Sequence, residues 1–186
     1  MSIDLDPHAA AVAHERDPAP PLRGALTRFN ALLARWCMYG AVAGLLAIVA
    51  IVFFQVFGRY VLNSSPTWTE SLALVLVLYV TLTAAAVGVR DAGHIGMESL
   101  LVLAPTRWRE RIELLIHALV LLFGAAMAYN GWVLGESVMA YRIPNLNLSE
   151  AVRYAPLVIS GVLIVLFSVE HIIALLRGAE VEPAWH

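Results

Sequence analysis

His117 and His171 are the two side chains whose types and positions could combine to do chemistry. One stands near the start of a long apolar run and the other near the end of the next, so antiparallel helices would set both imidazoles at one level. Two imidazoles from facing helices can act as axial ligands of haem iron. The plainer reading needs no cofactor, because an ionisable group within a turn or two of a helix end reaches the membrane interface. Glu170, directly before His171, favours such an interfacial polar cluster. His94 has no further ligands at metal-binding spacing and reads as a polar anchor. Cys37, the only cysteine, excludes an internal disulfide and reads as a small apolar residue near a membrane surface. No metal, cofactor or enzyme active site is expected from these residues.

The segment 59–70 carries the most information among the charged and aromatic residues. Arg59 closes one apolar run and Glu70 opens the next, so the two can pair where the dielectric is intermediate. Such a pair either closes a helical hairpin locally or meets a partner. Thr67 followed three residues later by Glu70 is a capping-box pattern that predicts a helix start. Tyr60 and Trp68 suit the aromatic belt of a membrane interface. Farther along, Glu136, Arg142 and Arg153 read as solvated charges, and the segment 147–150 as a further helix start. Pro156 fits an early helical turn, where its missing N–H costs least.

These residues need elements to hold them, and the composition says which. Of the 186 residues 60 % are hydrophobic and only 14 % are charged, against roughly 25 % in soluble domains. Charge-free runs over 36–58, 71–89 and 114–135, and an apolar run over 154–176 with Glu170 and His171 near its end, are each close to the roughly 20 apolar residues that cross a bilayer. The chain is therefore expected to be an all-α membrane protein with four transmembrane helices filling residues 22–178. Residues 1–21 are polar and proline-rich, the composition of a disordered tail, and 179–186 form a C-terminal tail. The first long apolar run begins too late for a cleavable signal, so span 1 is expected to remain. Apolar residues at helical spacing over 22–36, with Arg23, Arg28 and Arg35 between them, predict an amphipathic helix lying in the interface. The segments 95–103 and 108–112 are too short or too charged to span and also read as interfacial.

The cations are 12 arginines with no lysine. Nine of them fall on one side of these spans: Arg16, Arg23, Arg28, Arg35, Arg90, Arg107, Arg109, Arg111 and Arg177. Only Arg59, Arg142 and Arg153 fall on the other. Basic segments stay cytoplasmic, so both termini are expected there. Scattered arginines and a formal charge of −2 argue against nucleic acid. Neither an internal repeat nor a discontinuous span suggests a complete transporter. Small residues such as Gly44, Gly124, Ala128 and Gly161 permit close helix packing.

The ordered set Arg59, Tyr60, Trp68, Thr69, Glu70, Arg90, His94, Ile95, Tyr154 and Pro156 resembles the small membrane subunit of tripartite ATP-independent periplasmic (TRAP) transporters. The likeness covers nearly the whole chain after the tail. Two positions depart from the pattern, with Ser71 where an acidic residue is common and Glu98 where an aspartate is common. The resemblance implies a subunit that packs against a large membrane transport subunit, which carries the substrate and sodium sites. It also implies that the subunit helps a periplasmic substrate-binding protein dock during organic-acid uptake. On that reading Arg59, Trp68, Glu70, Arg142 and Arg153 shape the docking face, and Arg90 and His94 anchor the cytoplasmic surface. Two alternatives stay open: a haem-binding four-helix anchor of a respiratory complex, ligated by His117 and His171, and a self-contained small-solute carrier.

Overall fold

The computed structural model describes residues 24–64, 66–91, 106–179 and 181, with side chains omitted over 106–110. Four long helices account for most of them: α1 (Ala25–Tyr60), α2 (Trp68–Asp91), α3 (Thr106–Ser137) and α4 (Ala155–Leu176). All four have apolar stretches long enough to cross a membrane. They run alternately up and down, so the two ends of the described chain share one end of the molecule. That end is called the near end below, and the opposite one the far end.

The first three predicted spans lie inside α1, α2 and α3 and the fourth matches α4 to within one residue, but α1 and α3 are much longer than predicted. No proline or glycine interrupts residues 25–39, and Gly24, extended at φ −167°, marks the helix start. Residues 25–36, expected as a separate interfacial helix, are therefore the first turns of α1. Likewise the charged segment 108–112, expected to lie in the interface, belongs to the first turns of α3. The segment 95–103 lies outside the described residues.

The four helices form a row rather than a closed bundle. Helix α1 packs on α2, α2 on α4 and α4 on α3, while α1 touches α4 only lightly. Half of the α4 span is buried, against 6 % of the α1 span and 11 % of the α3 span. The last helix is thus the centre of the layer. Its Leu163 and Phe167 meet Ala34 of α1 and Ala86 and Val87 of α2. On the other side α4 crosses α3 at van der Waals distance of the backbones. A Cβ on Gly161 would stand 2.7 Å from the Gly124 carbonyl oxygen and 2.6 Å from the Ala128 amide nitrogen. Lipid gives little hydrophobic drive between helices, so such close backbone packing and polar contacts carry the association.

At the far end Gly58 lets the chain double back, its carbonyl oxygen accepting from the Ser64 amide at 3.0 Å. A Cβ there would sit 2.8 Å from the Ser64 carbonyl oxygen. Between α3 and α4 a short hairpin is closed by an antiparallel bridge between Arg142 and Ser149. Asn145 and Asn147 take left-handed backbone angles, φ 71° and 56°, which asparagine tolerates well. A 3-10 turn, Glu150–Arg153, follows, capped by the Ser149 hydroxyl, and Pro156 sits in the first turn of α4 as expected.

Candidate functional site

Two groups of polar residues stand out, one at each end of the row. At the far end Arg59, Tyr60, Trp68, Glu70 and Arg142 are exposed, and Arg153 is partly so. Arg59 and Glu70 do not pair with each other among the described residues. Helix α2 does begin directly after Thr67, as the capping pattern predicts. The side-chain bond at this corner comes from Thr69, whose hydroxyl donates to the Pro66 carbonyl oxygen at 2.7 Å. Trp68 leans on Phe54 with ring centroids 6.5 Å apart, which sets the outer parts of α1 and α2 at one level.

The hairpin over 141–150 is fastened to α2. Ile143 is 1 % exposed and plugs the hairpin into the fold. Ser71 donates to the Pro144 carbonyl oxygen at 3.5 Å, and the Tyr79 hydroxyl donates to that of Val152 at 3.1 Å. Ser71, one of the two departures from the family pattern, thus faces the hairpin. Arg142 donates to the Asn147 carbonyl oxygen at 2.9 Å, and Arg153 pairs with Glu150 at 3.2 Å. These arginines stiffen their own loop as well as presenting charge. The result is a braced polar surface formed by the α1–α2 corner and the hairpin.

At the near end the structure buries a cluster of which the sequence reading singled out only parts. Arg90 is 1 % exposed and Glu170 fully enclosed. Two guanidinium nitrogens reach the Glu170 carboxylate, Nε to Oε2 at 3.3 Å and Nη2 to Oε1 at 3.4 Å. The third, Nη1, donates to Asp91 Oδ1 at 2.8 Å. From α1, the buried amide of Asn30 donates to Glu170 Oε2 at 2.8 Å. Hydrogen bonds to one carboxylate therefore link α1, α2 and α4 at one point.

His171 adds the link to α3. Its Nε2 donates to the Arg90 carbonyl oxygen at 2.9 Å, and its ring stacks on that of His117 at 4.7 Å and 5°. The two histidines do share one level, as their positions predict, and both are buried. Their arrangement is not that of two axial ligands, however. Imidazoles on opposite sides of one iron point their ring edges at the metal, whereas these rings lie face to face with no room for a porphyrin between them. Arg90, expected to anchor a surface, instead holds the interior together. His94 lies outside the described residues.

Asn30 escaped the sequence reading because it looks like one more polar residue on an amphipathic segment. The signal that could have found it is its spacing: it shares a face with the small residues Ala34 and Ala41, which are also buried.

Comparison with known proteins agrees with this architecture. Residues 48–178 match the model of the family described as tripartite ATP-independent periplasmic transporters, DctQ component. The chain is 24 % identical over 131 residues to the sialic acid TRAP transporter small permease protein SiaQ of Vibrio cholerae. That alignment covers 70 % of this chain and 76 % of the relative. A TRAP transporter small permease protein of Haemophilus influenzae is 23 % identical over 133 residues, 70 % of this chain and 81 % of its own length. With four membrane-spanning helices and a match over most of its length, the chain belongs to the DctQ family: it is a small permease subunit of a TRAP transporter, a multi-pass protein of the bacterial inner membrane and a transport component rather than an enzyme.

Proposed function

We propose that this subunit packs against a large membrane transport subunit and helps a periplasmic substrate-binding protein dock, in the sodium-coupled uptake of an organic acid. The observation that carries this reading is the family match together with the open row of helices. A row with α4 at its centre leaves the outer sides of α1 and α3 uncovered. On α1 these include Leu46 at 65 % and Phe53 at 71 % exposure. Lipid can cover such a surface, and so can a larger partner subunit in the same membrane.

In this reading the near end is cytoplasmic and the far end periplasmic, in keeping with the nine-to-three distribution of arginines. The braced surface of Arg59, Tyr60, Trp68, Glu70, Arg142 and Arg153 then meets the binding protein. An acidic substrate is supported by the Vibrio cholerae relative, whose name specifies sialic acid.

The test is a mild-detergent pull-down of the chain expressed with its genomic neighbours, with the visible spectrum taken on the same sample. A large multispanning protein in a colourless complex is the expected result. A coloured complex containing soluble redox subunits would overturn the proposal.

A further inference from the structure

The outer face of α3 differs in kind from that of α1. Gly124 and Gly131 hold one side of α3 against α4. At 100° per residue the opposite side is formed by Leu122, Ala126, Tyr129 and Val133, with Asn130 beside them. All five are exposed, Leu122 at 64 % and Tyr129 at 70 %. On α1 the outward residues at mid-helix include Leu46, Val49 and Phe53, which hydrocarbon chains cover without stranding a polar group.

Asn130 lies well inside the membrane. Its neighbour Gly131 is level with Val158 of α4, since a Cβ on that glycine would stand 3.0 Å from a Val158 methyl carbon. At 1.5 Å per residue Val158 lies about 18 Å along α4 from Glu170 in the near-end cluster, and Asn130 about 9 Å along α3 from Glu136 at the far end. Together these rises come close to the roughly 30 Å of hydrocarbon in a bilayer. Nor does the side chain reach back to the far surface. Its amide nitrogen donates to the Ala126 carbonyl oxygen at 2.7 Å, one turn toward the middle of the membrane.

That bond uses one of the two amide N–H groups. Among the described residues the Asn130 carbonyl oxygen and the Tyr129 hydroxyl beside it have no partner. Lipid tails offer neither donor nor acceptor, so bare amide groups at this depth favour a protein neighbour over lipid. The exposed Ala125 and Ala126 let the backbone of such a neighbour come close. We propose, resting on the transport reading above, that this face of α3 seats a helix of the large membrane transport subunit, and that Asn130 hydrogen-bonds a polar group on that helix. A membrane subunit has helices at this depth, whereas a periplasmic binding protein reaches only the far surface.

The test co-expresses the full chain with a tagged large subunit and purifies the complex in mild detergent. Asn130→Leu should lower the amount of this chain recovered with the large subunit about threefold or more, and Asn130→Gln, which keeps the amide, should lower it less. Asn130 bonds only within its own helix, so the helicity of both variants should match that of wild type. A second measurement leaves Asn130 in place: benzoylphenylalanine in place of Leu122 is expected to cross-link to the large subunit on illumination. Cross-linking to a second copy of this chain, or to nothing while the complex still copurifies, would overturn the proposal and leave the transport reading standing. Undiminished recovery of N130L, or an equal loss in N130Q, would do the same. A wild-type chain that recovers no large subunit would overturn both.

Discussion

The guanidinium of Arg90 and the carboxylate of Glu170 meet at 3.3 Å from positions 80 residues apart, with neither side chain more than 1 % exposed. Removing Glu170 takes from the buried Arg90 one of the two carboxylates it bonds, with no water to replace it. Glu170→Ala should therefore destabilise the chain by about 3–5 kcal/mol, whereas replacing both residues, as in R90M/E170L, should cost much less. Thermal unfolding in detergent, read by circular dichroism, compares the two variants. Equal losses would show that the pair is not the point of weakness.

Gly161 tests the crossing of α3 and α4. A leucine there must displace the Gly124 and Ala128 backbone, and a loss of about 1–3 kcal/mol is expected even after the helices shift. Gly88, which has open space where a Cβ would go, serves as the control. Gly88→Ala should leave the melting temperature within a degree or two of wild type.

His171→Phe keeps a flat ring against His117 but removes the donor to the Arg90 carbonyl oxygen. The expected cost is about 1 kcal/mol, seen as a lower melting temperature with unchanged helicity. The purified wild-type chain should show no Soret band, since its imidazoles are stacked face to face. A band that disappears in His171→Phe would revive iron ligation.

Arg59 is exposed at the far end, so Arg59→Ala should leave stability unchanged within about 0.5 kcal/mol. Its effect should appear instead in copurification of the large subunit or in uptake of substrate by cells. Normal behaviour in both measurements removes Arg59 from the proposed docking surface.

Much of this fold was legible in the sequence because lipid imposes a simple rule on spanning segments. Long apolar runs, three of them free of charge, pointed to four long helices, and antiparallel reasoning set His117 and His171 at one level. The length of α1 was less legible, since Arg28 and Arg35 interrupt the apolar run without interrupting the helix. Burial of Arg90 was not legible at all. Its partner Glu170 lies on a helix three spans from Asn30 and one beyond α3, and no local pattern encodes which polar residues of distant helices will meet. The candidate docking residues were visible as exposed charges and aromatics, but the fastening of the 141–150 hairpin to α2 through Ser71 and Tyr79 depends on tertiary placement.

The central position of α4 also bears on how the chain is made. Synthesis delivers α1, α2 and α3 first, yet α2 and α3 have no extensive contact with each other among the described residues. The gap between them is filled by α4, the last of the four described helices to be synthesised. Until it arrives, Asn30 and Arg90 lack the Glu170 carboxylate that both bond in the folded chain. A product truncated before α4 would accordingly lack the helix on which α2 and α3 both pack, and with it the carboxylate that Asn30 and Arg90 share.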